Sequence, residues 1–295
     1  MTLSATQEAY NGASVEAIRH HYDAGNDFYR LWLDPTLTYS CAIWGSEQAP
    51  QTLESAQRRK VDFHIDQARA RNAGSVLDIG CGWGGLLKRL VETYNVGSAV
   101  GLTLSSAQAE WVRSFADDRI SVRLENWFDH HPDRPYDAIV SIEAFEAFAR
   151  PGLSPGEKIR AYRTFFTKCH GMLKPGGYLS LQTIAWGNTN RNRTSQFIET
   201  QIFPESDLPD LAEIAEASER LFEVVILRND CEDYERTCRA WLSRLNAARA
   251  QAAASAGSEI VDRYTKYLKI ATIGFHLRRI QLLRIALRRI DQPRS

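Results

Sequence analysis

Long apolar runs are missing from this chain of 295 residues, and nothing approaches the 18 or more consecutive apolar residues of a membrane-spanning helix. Net charge is missing as well. Lys+Arg and Asp+Glu both total 36, so the molecule has no bulk field with which to recruit nucleic acid. The five cysteines (Cys41, Cys81, Cys169, Cys231, Cys238) are odd in number and form no CxxC pair. That argues against both a disulfide framework and a zinc site. His20 and His21 have no other histidine or carboxylate at ligand spacing, so no metal is expected. Internal repeats and low-complexity tracts are absent. The polar start, Met1–Asn11, lacks the apolar stretch of a signal peptide, which makes a reducing cytoplasm the expected compartment.

What the chain does have is core material, with 44% apolar residues, and an uneven charge distribution. From Arg263 to Arg294 there are nine Lys/Arg against a single acid, Asp291. Helical patterns at Val15–Leu33 and Leu53–Ala70 precede a change of rhythm at Ser75. Ser75–Ile79, Gly97–Leu102, Ile120–Leu124, Ala138–Ile142 and Tyr178–Ile184 are short, β-branched apolar runs. Leu86–Tyr94, Ser106–Ala116 and Gly156–Leu173 read as helices among them, and Lys174-Pro-Gly-Gly177 stops the last. Such alternation predicts an α/β fold with a mostly parallel sheet and helices on both faces. Phe222–Leu227 reads as a further strand. Tyr234–Ala254 and Ser258–Ile290 read as C-terminal helices, the second carrying Arg278, Arg279, Arg284, Arg288 and Arg289. One domain is expected over 1–295: a helical N-terminal lid to 74, a cofactor-binding core over 75–185, then a substrate loop and C-terminal helices.

Val76-Leu-Asp-Ile-Gly-Cys-Gly-Trp-Gly-Gly85 lies between a predicted strand and a predicted helix. Gly80 and Gly82 allow a tight turn and close approach of a ligand to the backbone. The helix N-terminus that follows favours an anionic group such as a carboxylate. Gly80, Gly82 and Gly85 also satisfy G-x-G-x-x-G, so both a dinucleotide and S-adenosylmethionine are open readings of the turn. A dinucleotide site needs an acid about 20 residues on, at the end of the second strand. Gly101-Leu-Thr-Leu-Ser105 offers none, and Asp78 inside the first strand is also unlike a dinucleotide fingerprint. Asp78 is counted with the cofactor candidates.

Ordered strings across the chain resemble the cyclopropane fatty acid synthase and mycolic acid cyclopropane synthase family of S-adenosylmethionine-dependent methyltransferases. They include His21–Tyr29, Tyr39–Ala42, Val76–Gly85, Gly101–Ser105 with Gln108, Ser141–Glu146, Ile202–Pro204 with Leu208-Pro209, Tyr234, Trp241 and the tail from Tyr267 to Gln281. The resemblance implies a Rossmann-like class I methyltransferase fold. It also implies that Tyr39, Ser40, Gly80, Gly82, Thr103 and Gln108 hold the cofactor, with Trp127 near its adenine. The family reaction transfers a methyl group to an alkene carbon, leaving a carbocation that loses a proton to a bicarbonate ion. Residues matching Cys41, Glu146, Gln182, Ile184 (through its backbone) and Tyr234 hold that ion.

Two departures bear on the base. Ala147 and Gln182 stand where the family has histidines, and Glu143 adds a carboxylate where its best-known members have glycine. Either bicarbonate still binds, more weakly, or Glu143 itself supplies the base. Cys41 is not expected to act as a nucleophile, because the methyl donor is already activated. The expected activity is C-methylation or cyclopropanation of an alkene in a lipid-like or secondary-metabolite acceptor, small or acyl-chain, free or carrier-bound. N-methylation of a small amine and a non-catalytic cofactor-binding module are the alternatives. The segment Trp186–Asp210 is expected to shape the acceptor pocket. The basic C-terminal helix suggests peripheral contact with an anionic membrane.

Overall fold

The structure, a computed structural model, describes residues 25–45, 51–189, 197, 202 and 206–292. Its centre is a seven-stranded sheet in the order β3-β2-β1-β4-β5-β7-β6. The strands are β1 (Ser75–Ile79), β2 (Ser98–Thr103), β3 (Ile120–Leu124), β4 (Tyr136–Ile142), β5 (Leu173–Trp186), β6 (Phe222–Asn229) and β7 (Ile280–Arg289). The first five run parallel, while β7 pairs antiparallel with both β5 and β6. The reversal of strand order beside β1 opens a crevice at the carboxyl ends of the strands, where open α/β sheets bind ligands.

The helices are α1 (Asn26–Arg30), α2 (Leu53–Gln67), α3 (Gly85–Thr93), α4 (Ser106–Arg113), α5 (Pro155–Met172), α6 (Leu211–Ser218), α7 (Cys231–Ala247), α8 (Arg249–Ala256) and α9 (Ser258–His276). Local chemistry sets their ends. At α5, Ser154 Oγ accepts the Glu157 N–H while the Glu157 carboxylate accepts the Ser154 N–H at 2.8 Å, a capping box reinforced by Pro155 in the first turn. One face of the sheet packs Phe145, Phe148, Tyr162, Phe165 and Phe166 into the main core. Val61 and Ile65 of α2 and Leu86, Leu87 and Leu90 of α3 cover the opposite face. A third cluster joins the segment around α1 to α7 and α9 through Phe28, Tyr29, Trp32, Trp241 and Tyr264.

Two sequence readings change. The helix expected over Ser258–Ile290 ends at His276, and Ile280–Arg289 is instead strand β7, inside the sheet. Buried on both faces, β7 shows a nearly continuous apolar run rather than alternation, and its arginines at 284 and 288 imitate helical spacing. Arg278 turns the chain at φ +53° between the two elements. The basic C-terminal helix therefore does not exist as a surface. Arg284 is buried against Asp230, Arg288 pairs with Glu223 and Arg289 with Asp291. The sheet thus takes two of its seven strands from beyond residue 185. The stretch Tyr234–Ala254 divides into α7 and α8 around Ala248. Of Val15–Leu33 only residues from 25 onward are described. His20, His21 and most of the segment Trp186–Asp210 lie outside the described residues.

Candidate active site

The glycine turn folds as its sequence requires. Gly80 and Gly82 adopt φ +83° and +54°, and the N–H groups of Gly80 and Cys81 both donate to the Leu102 carbonyl. A Cβ on Gly80 would stand 2.6 Å from the Cβ of Ala144, so glycine is demanded there by contact as well as conformation. Beside Gly82, by contrast, a Cβ would meet nothing within 4 Å, which leaves room against the backbone for a ligand.

At the end of β2, Thr103 donates to Gln108 Oε1 at 2.7 Å and accepts the Ser105 N–H at 3.1 Å. This fixes the Gln108 amide with its Nε2 buried and unpartnered, and the Trp127 Nε1 is likewise buried and unpartnered. Buried donors without acceptors are costly unless a ligand accepts from them. Trp127 otherwise packs on Phe148 and Phe165. Asp78 is 3% exposed, and burial raises its carboxyl to about 7 against the opposing charge of Lys60. Lys60, which sequence reasoning missed, is also buried and donates to Ser40 Oγ at 2.9 Å. Desolvation lowers its ammonium to about 8. Tyr39 packs edge-on to Trp32 and tilted against Trp241. The glycine turn, Thr103 and Gln108 therefore meet at the carboxyl ends of β1 and β2, and the open glycine with the unpartnered Gln108 donor fits S-adenosylmethionine.

The segment Tyr39–Ala42 links that region to a second one. The carboxylate of Glu143 accepts three hydrogen bonds there: Cys41 N–H at 2.9 Å, the Gln182 amide at 2.7 Å and the Tyr234 hydroxyl at 2.5 Å. Glu143 itself sits just beyond β4 at φ +53°, a left-handed conformation costing a residue with a side chain on the order of 1 kcal/mol. Its N–H donates to the Gln182 carbonyl at 2.8 Å, which helps to hold the strained turn. Glu146 follows in the short turn Phe145–Phe148, and its Oε1 accepts the Ile184 N–H at 2.5 Å while Oε2 is buried without a partner. Four of the groups expected to hold bicarbonate, Cys41, Gln182, Ile184 and Tyr234, thus donate to the protein's own carboxylates.

Electrostatics divides the two glutamates. Burial and the charge of Glu143 raise Glu146 to about 8, so at neutral pH it holds a proton. Burial pushes Glu143 up too, but its three donors and nearby Lys60 oppose that, and the pair places its charge on Glu143. Burial raises the Tyr234 phenol well above its usual value, so it remains a donor. The Cys41 thiol is raised likewise and donates to the Ala42 carbonyl at 3.2 Å, which disarms it as a nucleophile. Behind the cage lie Arg284, His64 and Asp230, which sequence reasoning also missed. Just beyond β5, Trp186, Gly187, Asn188, Asn229, Cys231, Arg278 and Gln281 line a polar cleft of about 380 Å³.

Comparison with known proteins identifies the family and the fold. The profile of the mycolic acid cyclopropane synthetase family matches residues 10–285. Cyclopropane mycolic acid synthase 2 of Mycobacterium leprae (strain TN) is 35% identical over 275 residues, covering 86% of this chain and 87% of that protein. The structure of the cyclopropane synthase MmaA2 from Mycobacterium tuberculosis superimposes with a TM-score of 0.84 at 33% identity, covering 94% of this chain and 99% of that one. Mycolic acid cyclopropane synthase CmaA1, solved in complex with SAH and CTAB, gives 0.83 at 32% identity with the same coverage.

Proposed function

This chain belongs to the mycolic acid cyclopropane synthetase family of S-adenosylmethionine-dependent enzymes, and on that premise we propose that it methylates an alkene carbon of a lipid-like or secondary-metabolite acceptor, with Glu143 as its resident base. S-adenosylmethionine, when bound, supplies an electrophilic methyl group. Gln108, Thr103, Tyr39, Ser40, Trp127 and the glycine turn would hold it.

The observation that carries the reading is the fate of the anion-holding donors. Cys41 N–H, the Gln182 amide and the Tyr234 hydroxyl all converge on Glu143, so a carboxylate of the protein stands where the resemblance implies a bicarbonate. Glu143 as a residue is only partly buried. Methyl transfer to one alkene carbon leaves a cation on the other, and Glu143 takes a proton either from the transferred methyl, which leads to a ring, or from a carbon beside the cation, which leads to an alkene. The electron pair left behind closes a ring or forms a double bond. Glu146, kept neutral, avoids a second negative charge beside Glu143 and contributes a buried acid. The aromatic faces of Tyr39, Trp241 and Tyr234 supply quadrupoles that favour positive charge.

Incubation with methyl-labelled donor and paired alkene and amine acceptors tests the reading. Label is expected in the alkene product. Label found only in amines would replace C-methylation by N-methylation, with the same carboxylate deprotonating an ammonium. No transfer to any acceptor, with tight cofactor binding, would leave a cofactor-binding module.

A further inference from the structure

Behind the Glu143 cage lies a layer of polar side chains, shut away from solvent, that contacts Glu143 only through other residues. Arg284 on β7 and His64 on α2 are both 0% exposed. Arg284 Nε donates to Gln182 Oε1 at 2.7 Å. One terminal nitrogen donates to the carbonyls of Ala42 at 3.0 Å and Cys41 at 3.3 Å, and the other pairs with Asp230. His64 Nε2 lies 2.9 Å from the same Gln182 oxygen, and its Nδ1 lies 2.8 Å from Ser180 Oγ.

Donor arithmetic then fixes every hydrogen in the array. Arginine has donors only, so the Gln182 atom facing Arg284 must be the amide oxygen. That oxygen carries no proton, so His64 Nε2 bears the hydrogen and Nδ1 accepts from Ser180. Burial, helped by the charge of Arg284, holds His64 well below its usual 6.5, so the ring is neutral. With its oxygen gripped by two donors, Gln182 can present only its NH₂ to Glu143. Arg284 also clamps the carbonyls of Cys41 and Ala42, steadying the residue whose N–H points at Glu143. An amide turned over would set its oxygen against the carboxylate and exchange attraction for repulsion.

We propose that Arg284 and His64 are positioning residues that lock the Gln182 amide and the Cys41 backbone so that Glu143 meets only donors. The proposal rests on Glu143 acting as the base. Around Glu143 the titratable or charged groups are Cys41, Lys60 on α2, Glu146 after β4, Tyr234 and Cys238 on α7, Tyr267 on α9 and, one layer back, Arg284, Asp230 and Asp233.

The lock is read directly by ¹⁵N NMR of the full chain labelled at histidine. His64 is expected as the neutral Nε2–H tautomer, without titrating between pH 6 and 8, about the range of an ordinary histidine. A dominant Nδ1–H tautomer, or a His64 that titrates there, would overturn the proposal. Kinetics supply the second arm. His64→Phe should lower kcat about tenfold and Arg284→Lys about a hundredfold, with KM for S-adenosylmethionine unchanged. His64→Gln, which can donate from the same place, should recover most of that loss. In both damaged variants the acid-side limb of the kcat/KM profile, which reports the base, should move to higher pH, because an amide oxygen disfavours a charged Glu143. Folded variants with the parent kcat and pH profile contradict the lock. Full activity in Glu143→Gln would instead remove the base assignment, while the tautomer still reports the lock by itself.

Discussion

The two halves of the active site are built by different means. The cofactor half comes from a contiguous stretch, the glycine turn after β1, completed by Thr103 and Gln108 five residues apart. Its specificity lies in backbone shape, an open glycine and two waiting donors. The base half draws Cys41, Glu143, Gln182, Tyr234 and Arg284 from five separate elements, and it is dense with hydrogen bonds among its own members. The first half leaves polar groups unsatisfied for a ligand. In the second, the Cys41, Gln182, Ile184 and Tyr234 donors are taken up by the protein's own carboxylates. The two halves touch where Gly80 faces Ala144, the neighbour of Glu143.

Substitutions should separate the halves, and the largest effect is expected at the base. Glu143→Gln keeps the shape and removes the charge, so turnover should fall by about 10²–10⁴-fold while cofactor affinity, measured by calorimetry, stays near the parent value. Gly80→Ala strikes the joint, where the new methyl meets Ala144 at φ +83°. It should cost about 1–3 kcal/mol in chemical denaturation and impair both cofactor binding and turnover, thereby breaking the separation. Gln108→Ala removes one waiting donor and should weaken cofactor binding about tenfold, the value of one well-placed hydrogen bond, with kcat at saturation preserved.

A separate expectation concerns the pH dependence of stability. Glu146 holds its proton to about pH 8 in the folded chain, whereas an exposed glutamate releases it near 4.5. The folded state therefore binds more protons between those values, and stability from this group is full at acid pH and lost as pH rises through about 8. Thermal unfolding followed from pH 5 to 8 should show that decline, and Glu146→Gln should flatten it.

The same contrast explains what could be read from the sequence. Strand–helix alternation and the turn Val76–Gly85 are local patterns, and they indicate the parallel sheet and a ligand-binding turn, whose cofactor was narrowed by the missing acid after Gly101 and by the family resemblance. Cys41, Gln182 and Tyr234 were named by resemblance to a family, and so was their grouping. Their convergence on Glu143 depends on pairings such as Gln182 with Arg284 across β5 and β7, 102 residues apart. Arg284 was hidden twice. A doubly covered strand loses its alternation, and arginines at 284 and 288 fell into helical spacing. His64 and Lys60 lay on a helix with a long polar face, where burial by a sheet cannot be told from solvation.

Glu143→Gly tests the central claim most directly. Glycine adopts φ +53° without strain, so the fold is safe, and the substitution empties the cage of its carboxylate. Activity would be measured in carbonate-depleted buffer with and without added bicarbonate. The parent enzyme is expected to be indifferent to bicarbonate, and Glu143→Gly to be inactive until bicarbonate restores it. A parent enzyme that loses activity when bicarbonate is removed would contradict the assignment of Glu143 as the resident base.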